Sequence, residues 1–493
     1  MSQFTAPPPP PIPQRYPASH PRGRRVPILF GIGLTLVVIL VIACAAFRFS
    51  NASAIRKLEA EVRARGEPLT LTELQTSYAS IPDQDNAALA LIQIWQQEEP
   101  EFWEAFLSGD YNLPERSVRK YDPALPYLGS EAKKIPRGEP LSPASVAAVD
   151  EFITTNATRF AAVQTALLRP QSRFPVNMPD GLAALLPHLP SLRQEASYFQ
   201  IAALAAAEHN DAAGALAALR NIARCGQVLA KEPMLISQLV RLASMGMMVG
   251  GVEQWLSRQP LQPDDLEQLR QLLEASQLRG VARFSLVSER PFSLSAFDPK
   301  MAAFLAAGGA VNDDAEAQST HKTRTGFKLL RATGYLGPDQ RLMLEAFRDG
   351  IVLAEQETPE SLSKYEALFD AVDSRARKLP PKFFSAMLLP PLKKVGQRFA
   401  GYEAQRRAAL AALAVEGYRR NHGDQLPARL EELLPGFLSS VPIDPFDGQP
   451  LRFQKLERGY VIYSVGQDRN DNDGIEHTRG TREGTDITFT VLR

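Results

Sequence analysis

Residues 468–474, near the C-terminal end of the chain, concentrate side chains that bind hard cations. They read Asp-Arg-Asn-Asp-Asn-Asp-Gly, which places five Asp or Asn oxygen donors in six consecutive positions before a glycine. Calcium takes six to eight oxygen ligands and is often held by flexible loops of this composition. The segment therefore predicts a calcium site, with the candidate ligands Asp468, Asn470, Asp471 and Asp473.

The spacing of these residues differs from that of an EF-hand loop, and a second interpretation stays open. With Asp468 as the first position, the glycine falls one residue late, and Arg479 stands where a bidentate Glu is expected. Asp and Asn also favour turns, because their side chains bond the nearby backbone and tolerate left-handed conformations. A solvated turn without a cation is the alternative.

Catalytic motifs are absent from the sequence. None of the 6 histidines has the spacing of a metalloprotease helix, and neither a nucleophile elbow nor a phosphate-binding loop occurs. His422 follows a helical run, where a capping role is expected. We therefore expect no enzyme. The enzymatic alternative is a groove around residues 286–326, a less regular segment that predicts a long loop or a lid.

An apolar segment, Val26–Phe47, predicts one transmembrane helix. It contains no charged residue, and about 20 apolar residues suffice to cross the hydrocarbon core of a bilayer. A cleaved signal peptide would have a shorter apolar region of about 7–15 residues. A lipoprotein signal with Cys44 as the lipidated residue is a further alternative, although the apolar run continues past this cysteine.

Basic residues flank the apolar segment on both sides. Arg22, Arg24 and Arg25 precede it, which favours a cytoplasmic N-terminus. Further basic residues, beginning with Arg48, follow it, so the basic count alone does not decide the orientation. We expect residues 1–25 to be a disordered, Pro-rich cytoplasmic tail and the bulk of the chain to be extracytoplasmic.

The composition resembles that of ordinary globular proteins and argues against several classes. Hydrophobic residues make up 44% and charged residues 22%, and 55 Lys+Arg balance 55 Asp+Glu. A dedicated nucleic-acid binder carries a basic surplus, so we expect no nucleic-acid partner. The 2 cysteines are too few for a disulfide framework or a Cys-rich zinc fold.

Residues 51–390 predict a mainly α-helical body. Ala, Leu, Glu, Gln and Arg dominate, and apolar residues recur at a spacing of three or four. The clearest part predicts three helices, Leu192–His209, Ala212–Lys231 and Met234–Arg258. Residues 199–233 weakly resemble a tetratricopeptide-like helical hairpin, but no second copy occurs at a fixed period.

Residues 393–493 predict a small α+β unit. A long helical run, Val395–Asn421, precedes three segments that alternate as strands do, at Pro450–Gln454, Gly459–Ser464 and Asp486–Leu492. We therefore expect a long helix with a three-stranded antiparallel sheet after the helical body.

The order of motifs in this unit resembles the C-terminal domain of type II secretion major pseudopilins. The matching positions are a Leu-Pro turn, a Pro-x-Asp-Pro-aromatic segment, a strand ending in Ser-x-Gly-x-Asp and a late Asp-Ile: Leu426-Pro427, Pro442-Ile443-Asp444-Pro445-Phe446, Ser464-Val465-Gly466-Gln467-Asp468 and Asp486-Ile487. The resemblance covers less than a fifth of the chain and implies a pilin-like head. A prepilin-peptidase site and its N-terminal helix do not precede this unit, so we do not expect it to polymerise as a pilus subunit.

The resemblance also implies a function. Pseudopilins bind calcium in this loop through Asp side chains and backbone carbonyls, so Asp468 and Asp486 are the ligands that carry over, with Asp473 between them. It further implies a bacterial inner-membrane protein that acts as a binding or assembly module, with envelope or secretion-apparatus proteins as partners. The alternatives are a structural envelope protein without a secretion partner and the enzyme considered above.

Overall fold

A computed structural model of the chain describes residues 25–110, 112–116, 135–301, 316–378, 382–476 and 486–493. The predicted disordered tail, residues 1–25, lies outside the described residues except for Arg25. The chain divides into two units, Met1–Ser53 and Ala54–Arg493. The described part of the first unit is helical, and the second unit is compact.

Helices dominate the described part of the chain, as the sequence predicts. Their bounds are α1 Arg25–Ala64, α2 Leu71–Ser77, α3 Ala87–Glu98, α4 Pro100–Ser108, α5 Pro143–Thr155, α6 Ala157–Leu167, α7 His188–Glu208, α8 Ala212–Gln227, α9 Leu235–Arg258, α10 Pro263–Ala275, α11 Val281–Ser295, α12 Glu316–Thr333, α13 Gly337–Gln356, α14 Pro359–Arg377, α15 Phe383–Leu388 and α16 Lys393–Asn421. Short 3₁₀ turns connect some of them, at Asp83–Asp85, Met178–Ala183, Pro390–Leu392 and Leu430–Leu433.

Helix α1 confirms the predicted N-terminal apolar helix. Its stretch Leu34–Ala64 is long and apolar enough to cross a membrane, and its apolar side chains up to Phe49 are exposed. Helix α9 also has the length and composition of a span, but nearly half of it is buried inside the protein. The apolar face of α9 is therefore used by the core.

Helices α7, α8 and α9 pack against one another and supply much of the core. Asn210 takes a positive φ of 55° in the turn after α7, and Asp211 caps α8 by accepting from the Gly214 N–H at 2.9 Å. Glycine lets α8 and α9 approach closely, since a Cβ on Gly251 would lie 2.5 Å from the Leu219 side chain. The three predicted helices are present with slightly different bounds, whereas the tetratricopeptide-like resemblance stays a prediction.

The prediction of a loop or lid at residues 286–326 is wrong for the described residues. Residues 286–295 belong to α11 and residues 316–326 to α12, while residues 302–315 lie outside the described part. The serines made this stretch look irregular. In α11, Ser285 and Ser288 donate their hydroxyls to carbonyls one turn earlier, at 2.7 and 2.8 Å, and so remain satisfied inside a helix.

Three strands form the predicted antiparallel sheet, in the order β1-β2-β3. Their bounds are β1 Arg452–Lys455, β2 Tyr460–Ser464 and β3 Ile487–Val491. All residues of the central strand β2 are buried. The Tyr460 hydroxyl donates to the Glu416 carboxylate at 2.9 Å and to the Ala412 carbonyl at 3.2 Å. These bonds fix the sheet on helix α16.

Helix α9 covers the outer edge of β3. The Thr490 N–H donates to Glu253 Oε1 at 2.6 Å. The Ser257 hydroxyl donates to the Thr490 carbonyl and accepts from the Leu492 N–H, both at 3.3 Å. Unpaired strand edges recruit other strands, and here polar side chains of α9 occupy that edge. The sheet is thereby part of the compact unit Ala54–Arg493, and a domain boundary at residues 390–393 stays a prediction.

Candidate cation site

The candidate loop leaves the sheet directly after β2 and returns to it at β3. Its backbone turns sharply twice, because Gly466 and Arg469 have φ values of 68° and 57°, and Asp473 and Gly474 have values of 55° and 70°. Asp and Gly are suited to this left-handed region. Residues 477–485, which complete the loop, lie outside the described part of the chain.

Asp486 is the predicted ligand that the fold buries. Its side chain belongs to a residue that is only 4% exposed. One carboxylate oxygen, Oδ2, accepts from the Gly474 and Asn472 N–H groups at 2.9 and 3.1 Å. The other oxygen, Oδ1, has no hydrogen-bond partner among the described residues. Burial, together with the nearby negative charge of Asp471, raises the pKa of Asp486 above its usual range.

Two further predicted ligands lie close to Asp486, around the hydroxyl of Tyr463. Asp471 Oδ1 accepts from this hydroxyl and from the Asp473 N–H, both at 3.1 Å. Burial raises the pKa of Tyr463, and the charges of Asp471, Asp486 and Asp473 raise it further. Arg452 is a cation beside these carboxylates, with its Nε 3.6 Å from Asp471 Oδ2. The local field is therefore negative.

Asp468 and Asn470, the other two predicted ligands, lie at the exposed start of the loop. Asp468 Oδ1 accepts from the Asn470 N–H at 3.2 Å, which makes an Asx turn. The Asn470 carbonyl accepts from the Asn472 side chain at 3.2 Å. The turn interpretation thus describes this end of the loop, whereas Asp471, Asp473 and Asp486 gather at the other end.

No preformed metal cage is seen in the part of the chain that the structure describes. There, no three His, Cys, Asp or Glu side chains are placed to hold a metal ion. A cation at this loop would need the carboxylates to close around it, as flexible calcium loops allow. The buried Oδ1 of Asp486 is the fixed oxygen around which they would close.

Both ends of the loop are tied to the helical body, which the sequence did not predict. Arg469 donates to Glu366 of α14 at 2.8 Å. Glu476 accepts from Arg137 at 2.6 Å, and the same guanidinium pairs with Glu253 of α9 at 3.1 Å. Arg137 and Glu476 are 339 positions apart, so no local pattern could indicate that they meet.

The Pro-x-Asp-Pro-aromatic segment meets the end of β2 through Asp444, a residue with no exposed surface. Asp444 Oδ1 accepts from the Ser464 hydroxyl at 2.8 Å and the Phe446 N–H at 2.9 Å. Its Oδ2 accepts from the Val465 N–H at 2.9 Å and from Arg452 at 3.0 Å. Two of the motifs that carry the pseudopilin resemblance are thus joined by one carboxylate.

A second buried polar cluster lies in the helical body. His188 Nε2 lies 2.9 Å from Glu232 Oε1, which also accepts from the Ser237 hydroxyl. All three residues have no exposed surface. A substrate could not reach these side chains without opening the core. Their bonds join the start of α7 to the start of α9, while His188 Nδ1 has no hydrogen-bond partner among the described residues.

Comparisons with known protein families, with curated proteins and with solved structures find no match to this chain.

Proposed function

We propose that this chain is a single-pass bacterial envelope protein that acts as a binding or assembly module and carries a calcium-binding, pseudopilin-like C-terminal unit. In this proposal α1 spans the inner membrane, and the unit Ala54–Arg493 is extracytoplasmic and works with a type II secretion or pilus-like apparatus. The apolar helix α1 and the order of motifs on α16 and the sheet support the proposal.

The observation that carries the calcium proposal is the buried carboxylate of Asp486. One of its oxygens has no partner among the described residues, and two more carboxylates lie beside it. A buried charge without compensation destabilises the folded state. A calcium ion would compensate this charge and would tie the start of β3 to the loop after β2. The role is therefore structural, with an affinity typical of extracellular modules, roughly 10⁻⁴–10⁻³ M.

Calcium titration of the full chain in detergent tests this function. A ligand that binds only the folded state stabilises it by mass action, by about 1.4 kcal/mol at ten times the dissociation constant. We expect millimolar calcium to raise the melting temperature and a chelator to reverse the change. Magnesium should do less, because it prefers a smaller octahedral site and releases its water reluctantly.

Two variants make this experiment decisive. Asp486→Asn keeps an acceptor for the Gly474 N–H but removes the charge, and we expect it to abolish the calcium response. The control is Asp110→Asn, which makes the same chemical change at an exposed aspartate outside the candidate site, where the carboxylate accepts from the Asn112 N–H at 2.8 Å. An unchanged melting temperature in millimolar calcium would reduce the loop to an ordinary turn.

The alternative of a structural envelope protein is favoured by one specific observation. Polar side chains of α9 occupy the outer edge of β3, and α16 is packed against α9 and α10. These contacts pack the C-terminal unit, residues 393–493, against the helices of the same chain. Cross-linking of the full chain in bacterial membranes distinguishes the two functions, because an assembly module yields envelope proteins in the cross-linked product and a self-contained structural protein does not.

A further inference from the structure

A group of exposed apolar side chains lies on two neighbouring helices of the second unit and on the turn that follows one of them. We call it the α12–α15 face. It consists of large apolar side chains that are 66, 43, 46, 64 and 39% exposed: Leu329, Leu330, Tyr335, Phe383 and Met387. Large apolar side chains grouped on one surface mark an interaction site more often than scattered ones do.

Helix α12 is attached to the rest of the unit by one side chain over its last turns. Residues 325–333 are exposed apart from Phe327. The Phe327 ring packs on Phe384 of α15, with the ring centroids 6.0 Å apart. The packing of α12 on the rest of the unit thus buries Phe327 but leaves Leu329 and Leu330 exposed. These two leucines are available for a contact with another surface.

The charge on this face has one sign. Residues 325–336 and 382–389 contain no Asp or Glu and carry Lys328, Arg331 and Lys382. A helix with apolar residues on one side and Lys or Arg on the other is typical of segments that lie in the interface of a bilayer. Tyrosine and other amphipathic aromatic residues are also enriched at that level.

Helix α13 shows at which end of the second unit this face lies. Leu344 of α13 belongs to one apolar cluster with Leu58 and Val62 of α1. Farther along, Arg283 pairs with Glu67, just after α1, at 2.6 Å and with Glu355 of α13 at 3.6 Å. The contacts thus follow the same order along both segments, so the start of α13 lies on the Ala54 side of Leu344, toward the point where the chain enters this unit.

The α12–α15 face is fixed to that same end. Asp339, in the first turn of α13, accepts from the Phe384 and Ser385 N–H groups at 2.9 and 3.0 Å. It thereby caps α15 and places Phe383 and Met387 at the start of α13. Helix α12 leads into α13 through Gly334–Leu336, so both helices of the face meet here.

We propose that the α12–α15 face binds the headgroup region of the bilayer that holds α1. This inference rests on the proposed membrane anchor. Only residues 48–53 separate the apolar segment from Ala54, a tether of at most about 25 Å even when fully extended. The tether keeps this end of the unit at the bilayer, and anionic headgroups complement Lys328, Arg331 and Lys382. Phe383 and Leu329 then enter the interface.

Lipid quenching of an added tryptophan tests the contact in the full chain. The native residues Trp95, Trp103 and Trp255 are at most 2% exposed, so they contribute little quenching by lipid. Phe383→Trp, reconstituted in anionic nanodiscs with acyl-brominated lipid, is expected to lose at least half of its added emission. Leu329→Trp is a second variant on the same face, and Leu168→Trp, on a residue 58% exposed beyond α6, is the control.

Each outcome of this experiment decides the inference. Strong quenching at residues 383 and 329 but not at residue 168, weakened by the joint change Lys328→Glu and Lys382→Glu, supports it. Entry into nanodiscs without quenching at the face overturns the inference and leaves the anchor intact. Failure to enter nanodiscs overturns both. In lipid-free detergent, the new tryptophan could instead become shielded from solvent as the protein concentration rises. That result overturns the inference, because the face would then bind a second copy of the chain.

Discussion

Two buried aspartates, Asp444 and Asp486, lie at the same end of the three-stranded sheet, where β2 ends and β3 begins, and differ in how their charge is compensated. Asp444 accepts four hydrogen bonds, one of them from Arg452, and both of its oxygens are engaged. Asp486 accepts two backbone bonds on one oxygen, and its other oxygen is unpartnered among the described residues. Both oxygens of the first carboxylate are engaged within the chain, and the unpartnered oxygen of the second is the one that the calcium proposal uses.

The two aspartates belong to the same set of motifs but differ in their contact with one cation, Arg452. Arg452 lies between the two sites, since it donates to Asp444 and approaches Asp471 of the loop. Arg452 donates to Asp444 at 3.0 Å, whereas its Nε lies 3.6 Å from the Asp471 carboxylate. The Pro-x-Asp-Pro-aromatic motif can therefore be explained by its bonds within the fold, whereas the aspartates of the loop are the residues on which the calcium proposal rests.

The largest effect is expected from Asp444→Ala. The change leaves a guanidinium, two buried N–H groups and a hydroxyl without their acceptor, which should cost about 3–5 kcal/mol of unfolding free energy. Chemical denaturation of the full chain measures it. Calcium should not restore the loss. Asp447→Ala, which also removes a partner of Arg452 but at a half-buried position, should cost about 1 kcal/mol.

A smaller loss of unfolding free energy is expected at the edge of β3 that α9 covers. Glu253→Ala removes the acceptor of the Thr490 N–H and one partner of Arg137, and should cost about 2 kcal/mol. Ser257→Ala at the same edge should cost about 1 kcal/mol. Hydrogen exchange at Thr490 reports the change directly. Unaltered protection there in Glu253→Ala would show that α9 does not hold the edge of β3.

When calcium is absent, Asp486→Asn should not lower the unfolding free energy, in contrast to Asp444→Ala. The native pKa of Asp486 is raised, so the folded state holds this proton more tightly than the unfolded state. Stability should therefore be highest below the unfolded pKa and fall as the pH rises through the native pKa. The Asn variant lacks this loss, and in chelator at neutral pH it should match or exceed the wild type by up to about 1 kcal/mol.

Thermal unfolding in chelator across this pH range, with Asp110→Asn as the control, measures the difference. A variant that is less stable than the wild type at neutral pH in chelator would mean that the Asp486 charge is compensated within the chain. The comparison with Asp444 would then fail. With calcium present, the order should reverse, because only the wild type gains the ion.

The sequence anticipated the elements better than their contacts, for a physical reason. Periodicity revealed the helices, and alternation revealed all three strands, because both patterns depend on neighbours along the chain. The Arg137–Glu476 bond depends on residues far apart in sequence, and no local pattern contains it. The serines of α11 led to the prediction of a loop where the structure has a helix. A serine whose hydroxyl bonds within a helix cannot be distinguished in the sequence from a serine in a loop.

The loop itself shows the same limit. Its composition predicted four candidate ligands, and the pseudopilin resemblance added Asp486, but the fold divides this set. Asp471, Asp473 and Asp486 surround Tyr463, while Asp468 and Asn470 form an exposed turn. The buried carboxylate of Asp486 accepts from the N–H groups of Gly474 and Asn472, and a residue's side-chain type does not indicate where such backbone donors lie.

The smallest effect on stability, and the sharpest on the ligand set, is expected from Asp468→Ala. The side chain is exposed and accepts from the Asn470 N–H in a local turn, so in chelator the change should cost under about 0.5 kcal/mol. In calcium, the pseudopilin-like ligand set includes Asp468, and the rise in melting temperature should fall well below that of the wild type. A full calcium response in Asp468→Ala, together with none in Asp471→Ala, would place the ion among the carboxylates around Tyr463. The ligand set implied by the resemblance would then not apply to this chain, although its calcium binding would.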